Sequence, residues 1–274
     1  MRQKSMWKWT LVALIPVSFI VFPIYYVLVG SMMTTSQIFH QPPYLIPPNP
    51  QEIIGNYSRS FRILGPYFLN SIIVTLGVMV VILLLSPAAA FALAKMRLKL
   101  ENIFNFIFML IQMLPITATI IPLYLFFREF RLINTLLGVV LAISSFAVSF
   151  IVIMLTSYMR SFPVAMIESA EIDGASLLGI YWKIVLPLSM PALATASLFA
   201  FLQGWSNFVF PLTLIQDDKL YPLSIRLFTF VGEFGVQWNY LMAGSFIYSV
   251  PSIIVILIGS KFLISGLTAG AFKE

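Results

Sequence analysis

The sequence predicts an all-α, polytopic membrane protein with six transmembrane helices. Of its residues, 60% are hydrophobic and only 9% are charged, whereas a soluble domain carries about a quarter charged residues. The apolar residues fall in long blocks instead of amphipathic stripes, and no Asp, Glu, Lys, Arg or His interrupts those blocks. A chain of this kind cannot cover a globule with polar groups, so lipid is the solvent it suits.

A helix rising about 1.5 Å per residue needs about 20 apolar residues to cross about 30 Å of hydrocarbon. Residues 10–32, 67–94, 102–127, 132–159, 188–216 and 240–260 each meet that requirement. The first block follows Arg2, Lys4 and Lys8, as a signal peptide would. Its apolar run exceeds the roughly 7 to 15 residues of a signal core, so an uncleaved helix is expected, with Trp7 and Trp9 in the interfacial aromatic belt.

Six spans put both termini on one side. With the N-terminus inside, the inner segments carry Arg2, Lys4, Lys8, Lys95, Arg97, Lys99, Arg160, Lys183, Lys261 and Lys273. The outer ones carry Arg59, Arg62, Arg128, Arg131, Lys219 and Arg226. The bias predicts cytoplasmic termini, against which only Arg128 and Arg131 in a short outer loop count.

Three connections are longer than turns. The outer stretch 33–66 contains Pro42, Pro43, Pro47, Pro48 and Pro50 and is expected to be extended and partly polyproline-like. The outer stretch 217–239 is mixed in character. The inner stretch 160–187 is the most informative. Without an internal repeat or a soluble segment, residues 1–274 read as a single transmembrane domain with an inner loop at 160–187 and an inner tail at 261–274.

Several function classes are excluded or weakened. The formal charge of +6 could suggest nucleic-acid binding in a soluble protein. Here the basic residues are scattered among short loops, so anchoring at the membrane explains them and no nucleic-acid partner is expected. The absence of Cys rules out disulfides, thiol catalysis and Cys-liganded metals. The single histidine, His40, lies near Pro42 and Pro43 and reads as a solvated loop residue, so no metal site is expected. No Gly-x4-Gly-Lys-Ser/Thr phosphate loop occurs, so any ATPase must be another subunit. No cluster of catalytic spacing is present, and the chain reads as a non-enzyme. Spans without ionisable residues weigh against a proton-coupled carrier, while a sodium site built from carbonyls and hydroxyls stays open.

Local rules parse 160–187 into two short helices. Pro163 suits a first helical turn, and Gly174 supplies the left-handed residue that commonly ends a helix. Ser176 can cap the next helix, whose Leu177, Leu178, Tyr181 and Ile184 share a face before Pro187 stops it. The first helix carries Glu168 and Glu171, and Asp173 follows them. A helix lying on a membrane surface usually offers basic residues to anionic lipid, so this acidic character weighs against that alternative.

Glu168, Ser169 and Ala170, followed by Gly174 and then by Ile184, Leu186 and Pro187, resemble the cytoplasmic loop motif of binding-protein-dependent ABC importer permeases. Ser169 stands where the motif has Ala. Further likenesses are to the carbohydrate-uptake branch of that family, in particular the smaller permease subunit of the maltose transporter. They are Gln112, Met113 and Pro115 with Pro122, Leu123 and Tyr124; Trp205, Phe208, Pro211 and Leu212, with Ser206 at the motif's Asn position and Asn207 one residue later; and the ending Gly266, Leu267, Thr268, Ala269, Gly270, Ala271.

The resemblance implies a type I ABC importer permease fold. It also implies a second homologous permease, two ATPase subunits that bind the ATP and Mg, an extracytoplasmic solute-binding protein, and a bacterial or archaeal inner-membrane location. No cofactor is expected in this chain. Glu168, Ser169, Ala170, Asp173, Gly174, Ile184, Leu186 and Pro187 would form the coupling element that docks on the ATPase. Uncharged polar residues within spans are candidate solute contacts: Gln203, Ser206 and Asn207 in the fifth, and Ser144, Ser145 and Ser149 in the fourth. Helix-to-helix hydrogen bonding is the alternative role for each. A sugar or oligosaccharide importer is thus the leading expectation by resemblance; the alternatives are the same machine for a glycerol phosphate, polyamine or amino acid, or an ion-coupled secondary carrier.

Overall fold

The structure is a computed structural model that describes residues 3–49, 51–96, 100–232 and 235–268, with side chains described only within residues 12–260. The side chains of Trp7 and Trp9, and the residues of the 261–274 tail beyond Thr268, therefore lie outside the described residues. Four helical stretches are long and apolar enough to cross a bilayer, and the number reaches six when each of two sharply bent helix pairs is counted as one span. Two compact units are distinguished, Met1–Pro66 with Arg226–Val250 and Tyr67–Ile225 with Pro251–Glu274.

In the first unit, α1 (Gln3–Gly30) exposes Val12, Ile15 and Phe19. The turn α2 (Thr35–Ile38) begins with a capping box between Thr34 and Gln37. The stretch 33–66 is not extended throughout as its prolines suggested, because α3 (Glu52–Leu64) occupies its second half. The physical reason is that the prolines end at Pro50, and Asn56, Ser60 and Leu64 beyond them recur at helical spacing and are buried. The Asn56 amide donates to the carbonyls of Ser31 and Met33, each at 2.9 Å. It accepts from Asn239 at 2.9 Å. A two-residue antiparallel pairing of β1 (Val231–Gly232) with β2 (Gly235–Val236) is the one strand pairing among the described residues.

The second unit is built on α4 (Phe68–Lys95) and α7 (Leu136–Arg160). The third expected span is broken: α5 (Glu101–Met113) and α6 (Ile116–Glu129) meet at 104°. Pro115 explains the break, since proline lacks an N–H and pushes the preceding residue out of the helical region. Leu114 accordingly has ψ 125. The fourth span starts later than residue 132, because Asn134 takes a left-handed φ of 60. Its amide oxygen accepts from the backbone of Gln216 at 3.0 Å and Asp217 at 2.9 Å.

The loop helices α8 (Val164–Ile172), α9 (Leu177–Ile180) and α10 (Leu186–Leu188) follow. The fifth expected span is also interrupted, into α11 (Met190–Ser206) and α12 (Val209–Leu214). Asn207 between them is extended, and its side-chain oxygen accepts from Phe210 N at 3.2 Å. After the turn α13 (Leu223–Arg226) comes α14 (Trp238–Thr268), the last described helix. Val74, Val78 and Ile82 of α4, Ile143 and Ile151 of α7, and Ala192 and Ala196 of α11 share one buried cluster. The small Ala192 and Ala196 let α11 approach its neighbours closely, as membrane packing favours.

Candidate functional site

The stretch joining α7 to α11 has the helix, turn, helix form that its sequence predicts. Pro163, with ψ 132, precedes α8 as its N-cap instead of entering the first turn. At the other end Asp173 N donates to Ser169 O at 3.0 Å, Gly174 N to Glu171 O at 3.0 Å and Ala175 N to Ala170 O at 2.9 Å. Gly174 has a φ of +82, the conformation that lets the chain leave a helix while satisfying its last carbonyls. Ser176 then caps α9, its hydroxyl accepting from Gly179 N at 3.2 Å.

Burial divides the loop into an inner and an outer face. Ile167 and Ala170, three residues apart on α8, join the main apolar cluster, while Glu168, Ser169, Glu171, Asp173 and Gly174 are exposed. In the second arm Ile180, Tyr181 and Val185 are buried. Tyr181 is buried as expected, but Leu177 and Leu178 are exposed, so the apolar face is displaced in part, toward Ile180 and Val185, which the pattern did not single out. The displacement has a cause: residues Tyr181–Val185 form a wider π-helical turn, which rotates the faces relative to a regular helix. Ile184 and Leu186 are half-buried and Pro187 is exposed. Pro187 does not stop the helix; it sits at the start of α10, where its missing N–H costs little.

Two polar contacts tie the loop to its neighbours. Lys95 at the end of α4 donates to Phe162 O at 2.8 Å, and Arg160 pairs with Glu101. Beside them lies a cleft of about 540 Å³ lined by residues that include Lys95, Ile167, Glu168 and Glu171. The arrangement is a small, braced platform with an acidic outer face, suited to hold a basic protein surface and to transmit force. Glu168 and Gly174 stand on the outer face, and Ala170, Ile184 and Leu186 serve as its footing.

The candidate solute contacts do not gather on one surface. Gln203 and Ser206 are exposed on α11 and Asn207 is half-buried at its end. Ser145 is exposed and donates to Ala142 O at 2.8 Å. Ser144 and Ser149 lie in the packed interior at 2% and 1% exposure, so in this conformation they line no pathway. The Ser144 hydroxyl has no hydrogen-bond partner among the described residues. Among those residues no group of three or more His, Cys, Asp or Glu is placed to hold a metal.

Residues 83–265 match the family described as binding-protein-dependent transport system inner membrane component. An arabinooligosaccharides transport system permease protein of Halalkalibacterium halodurans is 30% identical over 258 residues, covering 92% of this chain and 91% of that one. A diacetylchitobiose uptake system permease protein of Streptomyces coelicolor is 29% identical over 254 residues, covering 93% and 92%. Among solved structures, a bacterial ABC transporter involved in the import of the acidic polysaccharide alginate aligns with a TM-score of 0.79. It is 22% identical and covers 95% of this chain and 98% of that chain. That likeness establishes the fold.

Proposed function

The chain belongs to the family of binding-protein-dependent transport system inner membrane components, and from that premise we propose that it is the permease half of an ATP-driven importer for a sugar or oligosaccharide. The family makes it a membrane transport subunit, working within a complex that includes an ATPase and a binding protein. In the proposed assembly this chain pairs with a second homologous permease and two ATPase subunits, which hold the ATP and Mg. Both of its termini face the cytoplasm. A solute-binding protein delivers cargo from the other side.

The observation that carries the coupling role is the exposed Glu168-to-Gly174 turn, braced from beneath by Ile167 and Ala170. Docked on the ATPase, the turn moves as the ATPase subunits close, and the helices behind it open the pathway outward. Opposite charges on a basic groove and on Glu168, Glu171 and Asp173 would favour that docking and set its register. A sugar cargo is supported by the oligosaccharide permeases among the relatives. It is supported as well by spans without charged residues, since a charged solute favours opposite charges along its route.

Purification of the chain with its expected partners tests this reading. We expect an ATPase and a second permease to copurify, and vesicles holding the complex to take up an oligosaccharide in an ATP-dependent way. A chain that transports alone, driven by an ion gradient, would overturn it. Orientation is tested separately by cysteine labelling, which the Cys-free sequence makes simple. Ser58→Cys, exposed on α3, should react with an impermeant reagent added outside, and Ala165→Cys, exposed on α8, should not. The reverse labelling pattern would invert the topology.

A further inference from the structure

The second arm of the loop runs past Pro187. Helix α9, the π-helical turn Tyr181–Val185 and α10 follow one another without a gap, and the rod they form meets α11 at 77°. Ser189 occupies the corner, with φ −84 and ψ 0, and is fully buried. Its hydroxyl donates to Val185 O at 2.7 Å. Its N–H lies 2.9 Å from Val185 O and 3.1 Å from Leu186 O, and its carbonyl accepts from Leu193 N at 2.8 Å. One residue therefore closes the last turn of the rod and opens the first turn of α11. Pro187 and Pro191 flank it, each with a ring-fixed φ.

We propose that Ser189 is a positioning residue that stiffens this elbow, so that displacement of the 160–187 loop reaches α11 as a rotation instead of being absorbed at the corner. A lever transmits motion only if its joint yields less than its load. Here the backbone on both sides is restricted by proline, the hydroxyl adds a buried bond that ties Ser189 to the rod's last turn, and the Ser189 carbonyl holds the first turn of α11. The buried Ile180, Tyr181 and Val185 seat the rod in the main apolar cluster, leaving the corner as the place where compliance would enter. The proposal rests on the coupling role given to the loop, and it requires no contact of Ser189 with solute or ATPase.

Three variants separate the possibilities. Ser189→Gly frees the backbone, Ser189→Ala removes only the hydroxyl bond, and Ser161→Ala removes an exposed hydroxyl bonded to Tyr158 O at 2.7 Å at the other end of the loop. In the reconstituted complex, Ser189→Gly should still copurify with the ATPase while uptake per ATP hydrolysed falls about fivefold, within the range such transmitting positions exert. Ser189→Ala should fall less, and Ser161→Ala should match the parent. A second readout uses the chain by itself, spin-labelled at Leu178→Cys and Gln203→Cys, exposed positions on the two arms. The parent should give a narrow distance distribution and Ser189→Gly a broad one. A narrow distribution with normal coupling in Ser189→Gly overturns the elbow. A parent chain that binds no ATPase would instead remove the coupling role, leaving the distance measurement to judge the elbow.

Discussion

Replacing Gly174 by valine is expected to lower uptake by about tenfold or more while leaving every span inserted. Gly174 has a φ of +82, and a Cβ there would meet nothing within 4 Å. The penalty is therefore conformational and not steric. An L-residue in the left-handed region costs roughly 1–2 kcal/mol, and about 1.4 kcal/mol is a factor of ten in an equilibrium. Valine, branched at Cβ, resists that region more than most residues. The chain relieves the strain by leaving the left-handed region, which breaks the bond from Ala175 N to Ala170 O and re-aims α9 relative to α8 with its exposed Glu168. Asn visits the left-handed region readily, so Gly174→Asn should retain the turn and most of the transport. Uptake in vesicles and ATPase copurification of the two variants measure the difference. Equal, near-parental transport by both would remove the turn from the coupling path; equal loss in both would shift the cause from backbone strain to crowding by a docked partner.

What the sequence made legible was governed by local rules. Gly174 and Ser176 could be assigned because a helix end leaves backbone groups that only a few residue types satisfy. The spans could be found because each needs length and apolarity and little else. The breaks within two of them were harder to see, since a hydropathy window scores Pro115 or Asn207 as one residue among many, whereas the backbone responds to a missing N–H or a side-chain cap at one point. Proline also misled in the opposite direction. Pro87 lies inside α4 and Pro251 inside α14, as membrane helices tolerate, and Pro187 begins a helix that it was expected to end. The face of the second loop arm was legible at Tyr181 but not at Leu177 and Leu178, because the π-helical turn at Tyr181–Val185 changes the period partway along. Ser144 and Ser149 looked like lining because polarity in a span invites that role, yet their burial depends on which face of α7 meets α4. Helical periodicity in so apolar a segment does not mark that face.

The same α4 surface carries the second large effect. Gly204 of α11 passes so close to α4 that an added Cβ would lie 2.7 Å from Thr75 Cα, 3.3 Å from Thr75 O and 3.3 Å from Val78 Cβ. Two of those atoms are backbone and cannot swing aside, and Thr75 is itself held by a 2.7 Å bond from its hydroxyl to Ser71 O. Even Gly204→Ala must push the helices apart, opening the contacts of Val74, Val78 and Ala200 around it. Overpacking of this kind costs typically about 1–3 kcal/mol, occasionally more. Gly204→Ala should therefore lower the melting temperature of the detergent-purified protein, and Gly204→Leu should leave little monodisperse material in size-exclusion chromatography. Gly77 on α4 provides the comparison. A Cβ there would meet Val140 Cγ2 at 2.8 Å and Cγ1 at 3.2 Å, side-chain atoms that a small shift of one residue relieves more readily than a clash with backbone, so Gly77→Ala should cost less than Gly204→Ala. Gly55 on α3, with nothing within 4 Å, should tolerate alanine or gain a few tenths of a kcal/mol, because alanine favours helix by up to about 1 kcal/mol over glycine. If the order of melting temperatures among the three alanine variants is not Gly55 above Gly77 above Gly204, close backbone approach is not what holds α11 against α4.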